Sequence, residues 1–372
     1  MTSRELFEIA VREESSDLFV KVGAPPMLRV SGKLKALTLP AVTSEFAEAL
    51  LKEIASSRTQ AAFAERGEAD TACEIAGVGR FRCNAFRQRG ALGMVFRRVN
   101  KVIPALDSLG LPLKALEKLA GLSRGIVLVT GTTGSGKSTT LAAMIGHIVA
   151  TAPKHVVTIE DPIEYVFIDG KSLVEQRELG IDTLTYEAAL RAVVRQSPDV
   201  IMIGELRDRE TIEAALHAAE TGHLVLTTLH TRNAAQTVER ILNFFPPHQH
   251  EFIRNQLAMQ LEGIISQRLL PRADGRGRVP AAEILVRTPT LHDLLAKGRF
   301  AEIPKALTAG GYFGTQTFNQ SLKGLVDAGV ISSDEALGAS DHPEELKLEM
   351  KGIGTGTAKM AGDTDLRIGR TS

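Results

Sequence analysis

The chain has no tryptophan, and aromatic residues make up only 5% of its 372 residues. That scarcity argues against a groove that stacks nucleic-acid bases on aromatic side chains. Cysteine is nearly absent as well. The two present, Cys73 and Cys83, exclude a disulfide framework and a four-cysteine zinc site, and they fit a reducing compartment. No run reaches the ~18 apolar residues that a membrane-spanning helix requires. The opening "MTSRELFEIAVREESSDLF" mixes acids with bases and has no apolar core of signal-peptide length. A cytoplasmic protein without direct membrane insertion is expected, lying peripherally at a membrane only through a partner. Net charge is missing too, since 44 basic residues balance 44 acidic ones. A generic nucleic-acid or anionic-lipid partner is therefore not implied, and any basic surface must be local.

What is present divides the chain into parts. Its length suits about two to three domains. Residues 1–98 alternate short helical and strand-like patterns, among them "SRELFEIAVREE", "DLFVKVG", "PMLRVSGKLKAL", "SEFAEALLKEIAS" and "GRFRCNAFRQRGALGMVFRRV". They read as a small α/β domain. Residues 99–122 carry two prolines and a short helix, as a linker would. From Ser123 to about residue 340, apolar runs such as "GIVLVTG", "HVVTIED", "DVIMIGE" and "HLVLTTLH" alternate with helical segments. That pattern predicts a mainly parallel sheet covered on both faces, followed by C-terminal helices. The stretch 341–372 ends in Gly- and Thr-rich sequence and is expected to be a flexible tail.

The most specific motif is "GTTGSGKST", comprising Gly131, Thr132, Thr133, Gly134, Ser135, Gly136, Lys137, Ser138 and Thr139. It sits between a strand-like run and a helical one, which is the context a phosphate loop requires. The glycines let successive N–H groups turn inward on phosphate oxygens, and the helix N-terminus adds partial positive charge. Lys137 is expected on the β- and γ-phosphates of ATP, with Ser138 on Mg²⁺. The plainer alternative is a Gly-rich turn.

Hydrolysis also needs acids to hold metal and place water. Glu160, Asp161 and Glu164 follow one apolar run, and Glu205 follows another. Both groups are expected beyond the carboxyl ends of strands, where ligands bind in open α/β sheets. Ser138, Glu160, Asp161 and Glu205 form the candidate Mg²⁺ set, against the alternative that acids after strands are simply solvated. His230 closes the run "HLVLTTLH", where it is placed to sense a γ-phosphate or the metal, while His223 opens that run. The alternative is a pair of hydrogen-bonded edge histidines. Between Arg80 and Arg98 lie six arginines and no acid. On a strand, Arg80 and Arg82 share one face, with Phe81, Cys83 and Ala85 on the other.

In this order and spacing, "VTGTTGSGKSTTLAAMI", "TIEDPIEY", "PDVIMIGELRD" and "AETGHLVLTTLHT" resemble the Walker A, Asp box, Walker B and His box of the secretion ATPase superfamily, which powers type IV pili and type II secretion. The resemblance runs from Met1 to about Leu337. It includes "SSDLFVKVGAPPMLRVSGKL" and "GVGRFRCNAFRQRG", which are similar to the N-terminal domain of the PilT/PilU retraction group. It implies a PAS-like N-terminal domain, a RecA-like ATPase domain and a homo-hexamer with ATP and Mg²⁺ between the domains. Glu164 and Glu205 carry over as the acids of the hydrolytic centre, and which of them polarises the water stays open. Arg80, Arg82 and Arg97 carry over as arginine fingers from their own or a neighbouring subunit. A solvated or nucleic-acid-binding face is the alternative.

Assembly and secretion members usually add a four-cysteine zinc module and a long N-terminal domain. This sequence has neither, so retraction of the type IV pilus, the motion behind twitching motility, is favoured. The stretch "TLHDLLAK" keeps Leu291, Leu294 and Leu295 but lacks the two arginines and final glutamate that PilT-type members carry there. The chain is thus more similar to the PilU-like accessory type. The implied partners are an inner-membrane platform protein and a PilT-like paralogue, with no nucleic acid. The competing readings are an assembly or secretion ATPase, a RecA-type nucleic-acid motor, an inert nucleotide-bound scaffold and a small-molecule kinase.

Overall fold

The structure, a computed structural model, describes residues 2–99 and 102–353. The chain forms two compact units. One comprises residues up to Ile103 together with Ile159–Gly170 and Gln176–Thr185, and the other comprises Pro104–Thr158, Lys171–Glu175 and the chain from Tyr186 onward.

The first unit opens with α1 (Ser3–Arg12), whose start is fixed by a reciprocal cap. The Thr2 hydroxyl accepts from the Glu5 amide, and the Glu5 carboxylate accepts from the Thr2 amide. Then come β1 (Asp17–Lys21), β2 (Met27–Val30), β3 (Lys33–Ala36), α2 (Ser44–Ile54), α3 (Ser57–Arg66), β4 (Glu68–Ile75), β5 (Gly79–Gln88) and β6 (Ala91–Arg98). The strands form an antiparallel sheet in the order β3-β2-β1-β6-β5-β4. Phe7 of α1 packs between Phe81 and Phe96, with ring centroids 4.7 and 5.0 Å away. Along β5, Phe81, Cys83 and Ala85 are buried while Arg80 and Arg82 lie on the opposite face, as strand alternation requires. Cys73 and Cys83 are free thiols in this core, and burial pushes the Cys73 thiol up to about 12 and raises Cys83 as well.

The second unit contains α4 (Leu113–Ala120), β7 (Gly125–Gly131), α5 (Lys137–Thr151), β8 (His155–Glu160), β9 (Leu173–Glu178), α6 (Tyr186–Val193), β10 (Val200–Ile203), α7 (Arg209–Glu220), β11 (Leu224–Leu229), α8 (Ala234–Leu242), α9 (His250–Gln260), β12 (Leu261–Pro271) and β13 (Arg278–Val286). It ends with α10 (Pro289–Ala296), α11 (Ile303–Ala309), α12 (Phe318–Asp327), α13 (Ser333–Ala339) and α14 (Pro343–Met350). The last residues of β8 and β9 group with the first unit. The sheet order is β13-β12-β7-β11-β10-β8-β9. β10, β11, β7 and β12 run parallel, and β13 is antiparallel to β12. Every residue of β7, β10 and β11 is buried, which is why they read as continuous apolar runs rather than alternating ones. The α/β class, with an antiparallel-sheet N-terminal part and a mainly parallel ATPase-type sheet, is as expected from sequence.

Two boundaries differ from the sequence reading. Of the expected linker 99–122, the chain from Pro104 onward packs with the second unit. There Leu116 and Leu119 of α4 are buried, and a Cβ at Gly263 would meet Leu119 Cδ2 at 2.6 Å. Asn100 and Lys101 of that linker lie outside the described residues. The expected tail 341–372 begins with α14, which starts at Pro343 and buries Leu346 in a cluster with Phe318, Leu322 and Ile331. Proline at the first helical turn and one inward leucine are enough to dock it. The tail from residue 354 onward lies outside the described residues.

Candidate functional site

Because β7, β11 and β10 are adjacent and parallel, their carboxyl ends lie along one edge of the sheet. β7 delivers the 131–139 loop to that edge, β11 delivers His230, and β10 delivers Gly204 and Glu205.

The loop has the backbone of an anion cradle. Gly131, Gly134 and Gly136 hold φ of +144°, +77° and +97°, a region that favours glycine. A Cβ on Gly131 would come within 2.4 Å of Ser135 Oγ and 2.5 Å of the Gln267 carbonyl oxygen. Helix α5 starts at Lys137 with Gly136 at its N-cap and no side-chain cap, whereas Asp208 caps α7 and Asn233 caps α8. A helix start without a side-chain cap suits an anion. Ser135 Oγ is buried and makes no hydrogen bond among the described residues. Lys137 is buried, and its Nζ donates to the carbonyls of Gly131 and Thr132 at 2.9 and 3.0 Å. A phosphate group fits this cradle. Ser138, the second residue of α5, carries a hydroxyl next to Lys137.

At the neighbouring strand ends, Glu205 is flanked by two cations or potential cations. Arg207 Nε donates to Glu205 Oε2 at 2.9 Å, and His230 Nε2 lies 3.3 Å from Glu205 Oε1. The Thr228 hydroxyl donates to the Gly204 carbonyl at 2.7 Å, and the Leu206 amide donates to the Thr228 carbonyl at 3.1 Å. β10 and β11 are thus stitched together just beyond their ladder, which brings His230 and Glu205 into register. His223 is different: its Nδ1 lies 2.8 Å from the Ala218 carbonyl and 3.2 Å from Thr221 Oγ1, so it closes the end of α7.

The other candidate residues belong to the first unit. Glu160 is buried, with Gln176 Nε2 donating to Oε1 at 3.0 Å and the Glu164 amide to Oε2 at 3.3 Å. Arg82 donates to the carbonyls of Pro162 and Ile163 at 3.2 and 3.0 Å and stands 3.8 Å from Glu164 Oε1. Arg80 pairs with the buried Glu178 at 2.6 Å, and Arg97 pairs with the buried Asp17 at 2.9 Å. Arg82, Arg97, Asp17, Asp161 and Glu178 line one cleft of about 570 Å³ within this unit. Each of the three arginines is therefore held by carboxylates or carbonyls. Among the described residues, no three His, Cys, Asp or Glu side chains form a cluster able to hold a metal alone. The carboxylate and hydroxyl oxygens of Ser138, Glu160, Asp161 and Glu205 are nevertheless the donor type that suits Mg²⁺.

Sequence reasoning missed Gln267 and Glu178, buried polar residues that meet site residues far away in the chain. A lone Gln in the apolar run "EGIISQRLL" and the second Glu of "VEQRELG" were the only signals.

The family described as "Type II/IV secretion system protein" matches residues 6–303. The chain is 42% identical to the type IV pilus ATPase PilU of Pseudomonas aeruginosa over 351 residues, covering 94% of this chain and 92% of that protein. It is equally 42% identical to the type IV pilus retraction ATPase PilT of the same organism, covering 93% of this chain and all of that protein. A crystal structure of the pilus retraction motor PilT with bound ADP superimposes with a TM-score of 0.86 at 44% identity, covering 93% of this chain and 99% of that one. Among the described residues no helix is long and apolar enough to cross a membrane. With its phosphate loop, its acid–histidine pair and this likeness along almost its whole length, the chain belongs to the type II/IV secretion system protein family, in the group of the PilT and PilU pilus ATPases.

Proposed function

We infer that the chain is an ATP hydrolase whose turnover powers retraction of a type IV pilus. The observation that carries this reading is the placement of Glu205, held by His230 and Arg207, at the same sheet edge as the 131–139 cradle. The two strand steps from β7 to β10 amount to about 10 Å, a span that a nucleotide's phosphates and its attacking water bridge.

The residues divide the work. The cradle amides and Lys137 bind the phosphates, and Lys137 exchanges its two carbonyl partners for phosphate oxygens. Ser138 and Glu205, with Glu160 and Asp161, are the donors that would hold Mg²⁺, which supplies charge neutralisation on the β- and γ-phosphates. Glu205 and Glu164 are the acids that orient water, and His230 keeps Glu205 aimed. Arg80, Arg82 and Arg97 are the arginine fingers, from their own or a neighbouring subunit. Each is now held by carboxylates or carbonyls of its own unit, and engaging a phosphate would mean giving those partners up.

Six copies form the working ring, on the cytoplasmic side of the inner membrane, bound to a platform protein of the pilus machine. The loss of both arginines and the glutamate from the segment that became α10 favours an accessory motor that works beside a PilT-like paralogue. Its retained leucines Leu291, Leu294 and Leu295 are all buried, so what is lost is polar surface rather than core.

The test compares surface pilin in a strain lacking the gene with one carrying Lys137→Ala. Pili that accumulate and fail to retract identify a motor sufficient by itself. Pili that retract but stall under load identify the accessory motor. Normal pili under every load refute the retraction reading.

A further inference from the structure

A phosphate loop built on three left-handed glycines has little intrinsic preference for its open ring, because glycine loses more conformational freedom on ordering than any other residue. Something outside the loop must hold it. The loop enters at Gly131 and leaves through the first turn of α5, which carries Thr140.

One residue touches both places. Gln267 of β12 lies opposite Gly131 of β7 in the parallel ladder, and its carbonyl oxygen lies so close to Gly131 that a Cβ there would be 2.5 Å away. Its side chain, only 2% exposed, reaches the other end. Nε2 donates to Thr140 Oγ1 at 2.9 Å, and the Thr140 hydroxyl lies 3.2 Å from Gln267 Oε1. Thr140 is equally buried at 2%. One residue earlier, Ser266 Oγ accepts from Thr130 Oγ1 at 2.9 Å and fixes the strand that feeds the loop. Burying a primary amide among apolar strands costs free energy unless it is paired. Here the pairing partner is the helix that carries Lys137 and Ser138.

Resting on the phosphate-loop reading above, we propose that Gln267 is a positioning residue that clasps the two ends of the 131–140 loop and holds the cradle open for phosphate. It acts through Thr140 and the Gly131 backbone, without touching the nucleotide. Removing the amide lets α5 turn about its axis and the loop close on itself, so each binding event must reopen it.

The test uses the full-length chain with two readouts, the Kd for fluorescently labelled ADP and amide hydrogen exchange along Gly131–Lys137 without nucleotide. Gln267→Leu is expected to weaken ADP about tenfold, the equivalent of one buried hydrogen bond. It should also speed exchange in the loop while amides of β10 and β11 keep their protection. Thr140→Val should reproduce both effects, Thr140→Ser should restore wild-type values, and the double variant Gln267→Leu/Thr140→Val should be no weaker than either single one. Unchanged affinity and exchange in a folded Gln267→Leu chain would overturn the clasp, as would losses that multiply in the double variant. Should Gln267→Leu fail to fold, Thr140→Val and Thr140→Ser decide the matter alone. The underlying reading is tested separately. If wild type binds no labelled ADP, or Lys137→Ala binds it equally well, the phosphate-loop assignment falls, while the exchange measurement still reports on the clasp.

Discussion

Replacing Glu283 by Gln should flatten one part of the stability–pH profile, by an amount the structure sets. Glu283 lies on β13, and its Oε1 accepts from the Ala234 amide, the first residue of α8, at 2.7 Å. Burial pushes its pKa up to about 7. The Ala234 amide pulls it back, Asp341 adds to the rise, and Arg268 opposes it. The ordinary carboxyl value is 4.5, so the folded chain binds this proton over a window in which the unfolded chain has released it. The stabilisation from proton uptake is complete below pH 4.5 and is lost as pH rises through 7. A displacement of about 2.5 pH units at about 1.4 kcal/mol each gives roughly 3 kcal/mol. Glutamine keeps the acceptor for Ala234 and cannot ionise. Urea unfolding of both chains at half-unit steps from pH 4.5 to 8 isolates the group as a difference. The variant should gain on wild type by about 3 kcal/mol across that range, with most of the gain between pH 5.5 and 7.5. A difference that stays level with pH would refute the buried, proton-binding carboxyl.

Three further outcomes are expected. Phe7→Ala removes the ring shared by Phe81 and Phe96 and should cost about 3–5 kcal/mol. It would be followed by denaturation with a probe in the first unit, and a loss below 1 kcal/mol would contradict the packing. Lys137→Ala should abolish phosphate release from ATP in a coupled assay, and a variant that keeps most of its turnover would displace the site. Arg82→Ala should leave the Kd for labelled ADP within about twofold while turnover falls at least about 10³-fold, as for other arginine fingers. Lost binding would instead assign Arg82 to the ground state.

What could be read from sequence was local. The glycine loop between β7 and α5 was legible because its signal is carried by consecutive residues, and the two faces of β5 were legible because strand alternation is a property of the backbone. α3 and β4 were not read. "SRTQAAFAER" buries only Phe63, and "EADTACEI" buries only Cys73, so neither displays an apolar period. The partners of the site residues were illegible for a different reason. Glu178 stands 98 residues from Arg80, and Gln267 stands 127 from Thr140, and nothing in the intervening sequence encodes their meeting. His223 and His230 could be told apart in the chain only by which end of their run they occupy. Their partners needed the fold, because the amino end of β11 meets the end of α7 while its carboxyl end meets Glu205.

β12 carries one more consequence. Successive strand residues face opposite layers, so Gln267 turns to α5 and Arg268 turns away. The Arg268 guanidinium holds Asp341 at 2.6 Å, bonds the Ala339 carbonyl and stacks 4.0 Å over Phe318. The C-terminal helices and the phosphate loop are thereby fastened to adjacent links of a single strand. A displacement arriving at Ala339 or Asp341 therefore meets the contact between β12 and α5 only one residue, about 3.3 Å, farther along the strand.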